Sequence, residues 1–168
     1  MFSEDINDRF LEEESEDTME GKFLIFRIKD EEYGIAIRNV MEINGIQNIT
    51  ELPDTPHYVK GVINLRGKVI PVIDVRLRFG MEARDYDERT CIIVVSIREM
   101  QVGLVVDSVS EVLDIPDDKV EPPPKSQKGA GSRYILGLGK VEESVKILLN
   151  IQKLLFDEEL EQITEAME

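Results

Sequence analysis

From Lys22 onward the chain runs in short apolar stretches separated by polar turns, the pattern of paired strands rather than of helices. Lys22–Ile28 is apolar and β-prone, Lys29-Asp30-Glu31-Glu32 supplies a polar turn, and Tyr33–Ile37 resumes the run, which predicts a hairpin. Thr55-Pro56 has the form of an N-cap followed by the first helical position, and predicts a short helix through Val59. Gly61–Leu65, Arg66-Gly67 and Lys68–Asp74 predict a second hairpin, after which Asp74 caps a helical turn over Val75–Phe79. Cys91–Ile97 and Gln101–Val106, joined through Arg98-Glu99-Met100, predict a third. Tyr134–Val141 and Ser144–Asn150, joined by Glu142-Glu143, predict a fourth. Ile151, Leu154, Leu155 and Ile163 fall at roughly helical spacing and predict a closing helix from Ile151 to about Ala166.

The pattern is written twice. Residues 22–43 laid on 91–112 without gaps place Phe23-Leu24-Ile25-Phe26 on Ile92-Ile93-Val94-Val95 and Tyr33-Gly34-Ile35 on Val102-Gly103-Leu104. Val40, Glu42 and Ile43 then fall on Val109, Glu111 and Val112. Residues 61–75 laid on 137–151 place Gly61 on Gly137 and Val72-Ile73-Asp74-Val75 on Leu148-Leu149-Asn150-Ile151. The change in offset falls at the Pro122-Pro123-Pro124 and Gly129-Ala130-Gly131 stretch, so one insertion accounts for it. The expectation is an all-β chain of two similar lobes, one over about 22–88 and one over about 89–150, with crossing between lobes allowed near the ends. Five or so short strands per lobe favour small barrels, which leave no exposed sheet edge. Neither lobe holds much core alone, so the two would share one, with the final helix, 151–168, added to it.

Charge narrows the partners. Formal net charge is −15, and residues 1–20 alone carry nine acids (Glu4, Asp5, Asp8, Glu12, Glu13, Glu14, Glu16, Asp17, Glu20) against one base, Arg9. Such a segment is too charged and too poor in apolar residues to fold alone and is expected to be a disordered tail. A chain with 20 bases against 35 acids and no Trp lacks the basic stripe and stacking aromatics of nucleic-acid binders, and lacks a cationic face for anionic lipid. No run approaches the length of a membrane span, and the acidic start has no signal-peptide core, so a cytoplasmic location is expected.

The search for reactive groups returns little. His57 has Asp54 near it in sequence but no nucleophile in a suitable context, and reads as a solvent-facing residue. Cys91 opens an apolar strand and reads as a buried thiol; with His57 it supplies two of the four ligands zinc needs. Gly137-Leu138-Gly139-Lys140 fails the phosphate-loop pattern, because Tyr134 stands at the first glycine and Val141 follows the lysine. No catalytic residue, cofactor site or metal site is expected, and the chain reads as a binding module rather than an enzyme.

One stretch is specific. Gly61-Val62-Ile63-Asn64-Leu65-Arg66-Gly67-Lys68-Val69-Ile70-Pro71-Val72-Ile73-Asp74-Val75-Arg76 closely resembles the signature of CheW-like domains. Glu32-Tyr33-Gly34-Ile35, Val40-Met41-Glu42-Ile43, Gly103–Val109 and Leu148–Leu155 extend the resemblance from about Lys22 to Phe156. It implies a fold of two SH3-like β-barrels, and an adaptor that couples the cytoplasmic tips of chemoreceptors to the regulatory domain of the histidine kinase CheA. CheA and CheV-type proteins carry the domain beside kinase or receiver segments. A chain of this length resembles the free-standing form. The alternative is an orphan CheW-like interaction module in a two-component pathway outside chemotaxis.

By matching positions, the resemblance places Val40, Glu42, Gly61, Arg66, Val109 and Val112 at a receptor-facing groove. Valines would make an apolar floor, Arg66 would offer its planar fork to a receptor carboxylate, and Gly61 would admit a close backbone. Read from the residues alone, the valines are better explained by core packing. A kinase-facing surface is expected around Ile46, Ile49, Leu52, Tyr58 and Val62. Neither the acidic tail nor the locally basic Lys125–Ser132 loop has a role in the resemblance.

Overall fold

In the computed structural model, residues 20–123 and 134–156 are described. Eleven strands follow in order: β1 (Lys22–Ile28), β2 (Glu31–Ala36), β3 (Val40–Gly45), β4 (Val59–Leu65), β5 (Lys68–Asp74), β6 (Cys91–Ile97), β7 (Met100–Val106), β8 (Ser108–Asp114), β9 (Val120–Glu121), β10 (Ile135–Val141) and β11 (Ser144–Leu149). Helix α1 (Val75–Arg78) follows β5, and α2 (Ile151–Leu155) follows β11. All four predicted hairpins are present. The expected helix at Thr55–Val59 is not: one bond from Val59 N–H to the Pro56 carbonyl, 3.0 Å, closes a turn, and β4 begins at Val59. So short a segment cannot offset the cost of helix nucleation, while Tyr58 and Val59 gain more by entering the core. The predicted closing helix is described as α2; its continuation to Ala166, the acidic tail up to Met19 and the Lys125–Ser132 loop lie outside the described residues.

The strands form two sheets, in the orders β8-β1-β2-β11-β10-β9 and β3-β6-β7-β5-β4. The first has six strands rather than the five expected, its sixth being the two-residue β9. The sequential division at about residue 88 does not describe these sheets. Each half of the chain lends strands to both: β1 and β2 join β8, β10 and β11, while β6 and β7 join β3, β4 and β5. Under the sequence repeat, β1, β2, β3, β4 and β5 correspond to β6, β7, β8, β10 and β11. With that correspondence the two sheet orders are the same, so the halves are exchanged copies.

The correspondence extends to detail. The parallel pairs Gly34–Leu148 and Gly103–Val72 sit at equivalent places. A Cβ at Gly34 would lie 2.9 Å from Leu148 Cδ2, and one at Gly103 2.9 Å from Ile92 Cγ2, so at both places a neighbouring side chain would have to shift to admit one. The β4–β5 ladder shifts register between Val59 and Gly61, and the β10–β11 ladder between Ile135 and Gly137. Asp74 accepts Leu77 N–H at 3.3 Å to cap α1, and Asn150 accepts Lys153 N–H at 3.1 Å to cap α2.

The same alternation explains why β1 and β6 read as unbroken apolar runs. Leu24, Phe26 and Ile28 join Ile93, Val95 and Leu104 in one core shared by the two sheets. Their alternating neighbours face the other way. Ile92 and Val94 pack with Ile63, Ile70, Val72 and Val105 inside the second sheet, and Ile25 packs with Ile115 and Leu148 inside the first. Both faces are buried over residues 24–26 and 92–95, so those stretches carry no polar residue, while Arg27 in β1 is exposed. Arg78 closes the shared core at one side: its guanidinium lies 4.4 Å from the Tyr58 ring and 4.8 Å from the Tyr134 ring, and its Nε donates to the Leu154 carbonyl at 3.2 Å. Tyr58 and Tyr134 are themselves repeat equivalents.

Candidate partner-binding groove

Strands β3 and β8 lie at corresponding ends of the two sheets. Each begins where the chain crosses from one sheet to the other, β3 after the 3-10 turn Ile37–Asn39 and β8 after Asp107. Val40 and Val109 are equivalent, and both belong to the shared core, at 2% and 8% exposure; Val112 is half-buried and packs against the same cluster. Both strands carry a β-bulge at the same place. The β3–β6 register shifts between Val40 and Glu42, and the β1–β8 register shifts between Ile25, opposite Glu111, and Phe26, opposite Val109. A bulge re-aims the side chains that follow it. On β3 it leaves Met41 exposed and directs Glu42 towards the β4–β5 turn.

At that turn Arg66 has a φ of +52°, and Gly67 N–H donates to Asn64 Oδ1 at 2.8 Å, which fixes the turn. The Arg66 fork donates to both Glu42 oxygens, Nη1 to Oε2 at 3.1 Å and Nη2 to Oε1, and Asn44 Nδ2 adds a third donor at 3.1 Å. The Arg66 hydrogen bond holds the Glu42 carboxyl below its ordinary range and raises the guanidinium above its own. Exposure is unequal, 72% for the Arg66 side chain and 13% for Glu42, so Glu42 fixes the arginine while the arginine faces solvent. Arg66, expected to offer its fork to a receptor carboxylate, already places Nη1 and Nη2 on Glu42 of its own chain.

Gly61 also differs from expectation. Its φ is +143°, and a Cβ there would lie 2.0 Å from the Thr50 carbonyl oxygen, so the backbone that approaches is the chain's own. Thr50 and Val62 exchange hydrogen bonds of 2.8 and 2.9 Å across this contact. Of the kinase-facing expectations, Ile46 is exposed, while Ile49, Leu52 and Val62 are half-buried. Tyr58 is withdrawn from that surface. It is 5% exposed, because its ring serves as one face of the Arg78 stack.

Little of this is reactive. His57 is exposed, with its ring edge-on to Tyr58. Burial raises the Cys91 thiol above its ordinary range, against a hydrogen bond from the Val109 backbone. Tyr86 donates to Asp74 at 2.8 Å and is pushed well up by burial and by that carboxylate. Among the described residues no three His, Cys, Asp or Glu side chains are grouped to hold a metal, and no helix is long and apolar enough to cross a membrane.

The model of the CheW-like domain family matches residues 22–159. The chain belongs to that family. It is 42% identical over 144 residues to the chemotaxis protein CheW of Klebsiella aerogenes, covering 86% of this chain and 87% of that one. It is 33% identical over 144 residues to CheW of Helicobacter pylori, covering 86% of each. The crystal structure of the scaffolding protein TtCheW from Thermoanaerobacter tengcongensis superposes with a TM-score of 0.75 at 35% identity, over 82% of this chain and 94% of that one. The two sheets here are thus the SH3-like pair of a CheW-like domain.

In this CheW-like chain the backbone repeat is not matched by its charges. The equivalent of Arg66 is Glu142, which shares the positive φ at +54°, and the equivalent of Glu42 is Glu111. One sheet thus offers a paired acid and base at its turn, and the other offers two acids. Sequence reasoning missed the Tyr58–Arg78–Tyr134 stack and the Asp107 cluster described below. Carrying the repeat three residues upstream of Gly61 would have aligned the two tyrosines.

Proposed function

We propose that this CheW-like protein is a non-catalytic adaptor of chemotaxis signalling, which binds the helical cytoplasmic tip of a chemoreceptor and the regulatory domain of a CheA-type histidine kinase. The reading is supported by β3 and β8, the strands that start at the two sheet crossings: Val40 and Val109 belong to the shared core there, Val112 packs against it, and β3 holds an outward-facing guanidinium fixed by Glu42. Helix-in-groove recognition needs that combination of apolar contact and a fixed charge for register. Val112, Met41 and Arg66 would touch the receptor, with Val40 and Val109 as the wall behind them. Ile46, Ile49, Leu52 and Val62 lie on the β3–β4 connection and β4 and would face the kinase. An adaptor with two separate faces lets receptor conformational free energy bias the kinase without chemistry of its own. The protein would work in the cytoplasm and reach the membrane only through its partners. Relatives named as chemotaxis proteins disfavour the alternative of a module outside chemotaxis.

The test is amide shift mapping on the full chain, with a receptor tip fragment and the kinase regulatory domain added in turn. The receptor fragment is expected to shift residues around Glu42, Arg66 and Val112, and the kinase domain those around Ile46–Leu52 and Val62. A receptor fragment that shifts none of the groove residues would refute the assignment.

A further inference from the structure

Two segments carry the described chain between its sheets, Ile37–Asn39 and Asp107. The second is a single residue, with β7 ending at Val106 in one sheet and β8 starting at Ser108 in the other. Its carboxylate gathers donors from three places. Arg76 on α1 gives Nε at 2.8 Å to Oδ1 and Nη2 at 2.7 Å to Oδ2. The Lys29 N–H, in the β1–β2 turn, gives 2.8 Å to Oδ2, and Arg84 gives Nη1 at 3.2 Å. The Asp107 N–H completes the tie by donating to the Arg27 carbonyl at 3.1 Å. Arg27 and Lys29 belong to the first sheet's hairpin, whereas Arg76 follows directly on the second sheet's β5. One carboxylate therefore spans the sheet junction at the root of β8.

Burial alone would push the Asp107 carboxyl up, but the Arg76 fork, the Lys29 N–H and the two arginine charges outweigh it and hold the group below its ordinary range. It is a charged, multiply bonded tie, with side chains of Arg76 and Asp107 only 15% and 12% exposed. Two residues further on stands Val109, and Val112 follows on the same strand. The repeat equivalent of Asp107 is Arg38, an exposed residue, so this tie has no copy at the root of β3.

We propose that Asp107 and Arg76 act as the positioning pair of the groove, setting where β8 stands relative to β3 and so the fit of the receptor tip. The inference rests on the receptor reading of the groove. The kinase face on the β3–β4 connection does not depend on this tie. Asp107→Asn keeps the shape, removes the charge and turns an N–H towards the arginine donors. Arg76→Lys keeps the charge and removes the planar fork.

Affinities of the full-length wild type, Asp107→Asn and Arg76→Lys for a receptor tip fragment and for the kinase regulatory domain provide the test. Each variant is held well below its unfolding midpoint. Asp107→Asn is expected to lose about tenfold in receptor affinity and Arg76→Lys about threefold, with kinase affinity kept within about twofold. Amide shifts in the free Asp107→Asn protein should concentrate on Val109–Val112. Receptor affinity equal to wild type in both variants overturns the positioning role. Equal losses for both partners also overturn it, since that is what a general loss of structure would give. If Asp107→Asn does not fold, Arg76→Lys alone decides. A wild-type protein that fails to bind the receptor fragment instead removes the receptor reading itself, which keeps the two failures apart.

Discussion

Replacing Gly61 with alanine tests the backbone contact that organises the β3–β4 connection. The φ of +143° is a conformation that residues with a Cβ rarely adopt, at a cost of about 1–3 kcal/mol. The new methyl would also sit 2.0 Å from the Thr50 carbonyl oxygen and 2.7 Å from its carbon, where real Cβ atoms stay beyond 3.0 Å. Backbone rather than a flexible side chain lies in the way, so the Thr50–Glu51 segment must move by about 1 Å. That movement breaks the 2.8 and 2.9 Å bonds exchanged with Val62, worth roughly 1 kcal/mol each. The total comes to about 3–5 kcal/mol. Gly67→Ala is the control: its φ is +87° but nothing lies within 4 Å of the added atom, so only the backbone cost of about 1–2 kcal/mol applies. Urea unfolding of both variants measures the difference, provided the slope with denaturant stays constant. If the two lose the same stability to within about 1 kcal/mol, the Thr50 contact is not the reason for glycine at this position.

Arg66→Glu should lower receptor-tip affinity by roughly tenfold, because two carboxylates then face each other, and should also lower the thermal unfolding midpoint, because Glu42 loses the donor that stabilises its charge. Kinase affinity measured below that midpoint should stay near wild type; titration calorimetry against each partner and thermal unfolding check this. Arg78→Ala removes a guanidinium held between Tyr58 and Tyr134 and bonded to the Leu154 carbonyl, and should cost about 2–4 kcal/mol by urea unfolding, with α2 amides losing exchange protection first. Acid should destabilise the protein through Glu42 and Asp107, whose carboxyls are held below their ordinary range. Their contribution is complete above the unfolded values of about 4 and is lost as pH falls through the lower folded values, so unfolding midpoints measured from pH 7 to 3 should drop at the acid end, less steeply in Asp107→Asn.

The repeat was legible because buried positions, turn residues and caps recur at fixed offsets, down to Asp74 and Asn150. What the offsets could not reveal was the exchange of strands between halves. Alternation specifies which face of a strand is buried, not which strand lies beside it, so β1 and β6 looked like members of their own halves. Strands β3 and β8 were hidden for a different reason. The bulges at Met41 and Ser110 insert an extra residue and break the alternation that marks a strand. The candidate receptor-facing residues came from the resemblance, which did not give their contacts within the chain. Whether Arg66 is free or paired depends on the bulge that aims Glu42, and whether Tyr58 is surface or core depends on an arginine twenty residues away in the chain. Long-range pairing of this kind leaves no local mark in sequence.

An adaptor must hold both partners at once. Sedimentation velocity of the full-length protein with a receptor tip fragment and a kinase regulatory domain, first in pairs and then all three together, measures this directly. A ternary species, formed with each pairwise affinity kept or raised, is the predicted result. Displacement of the kinase domain by the receptor fragment would mean that one surface serves both partners, and would contradict the two-faced adaptor.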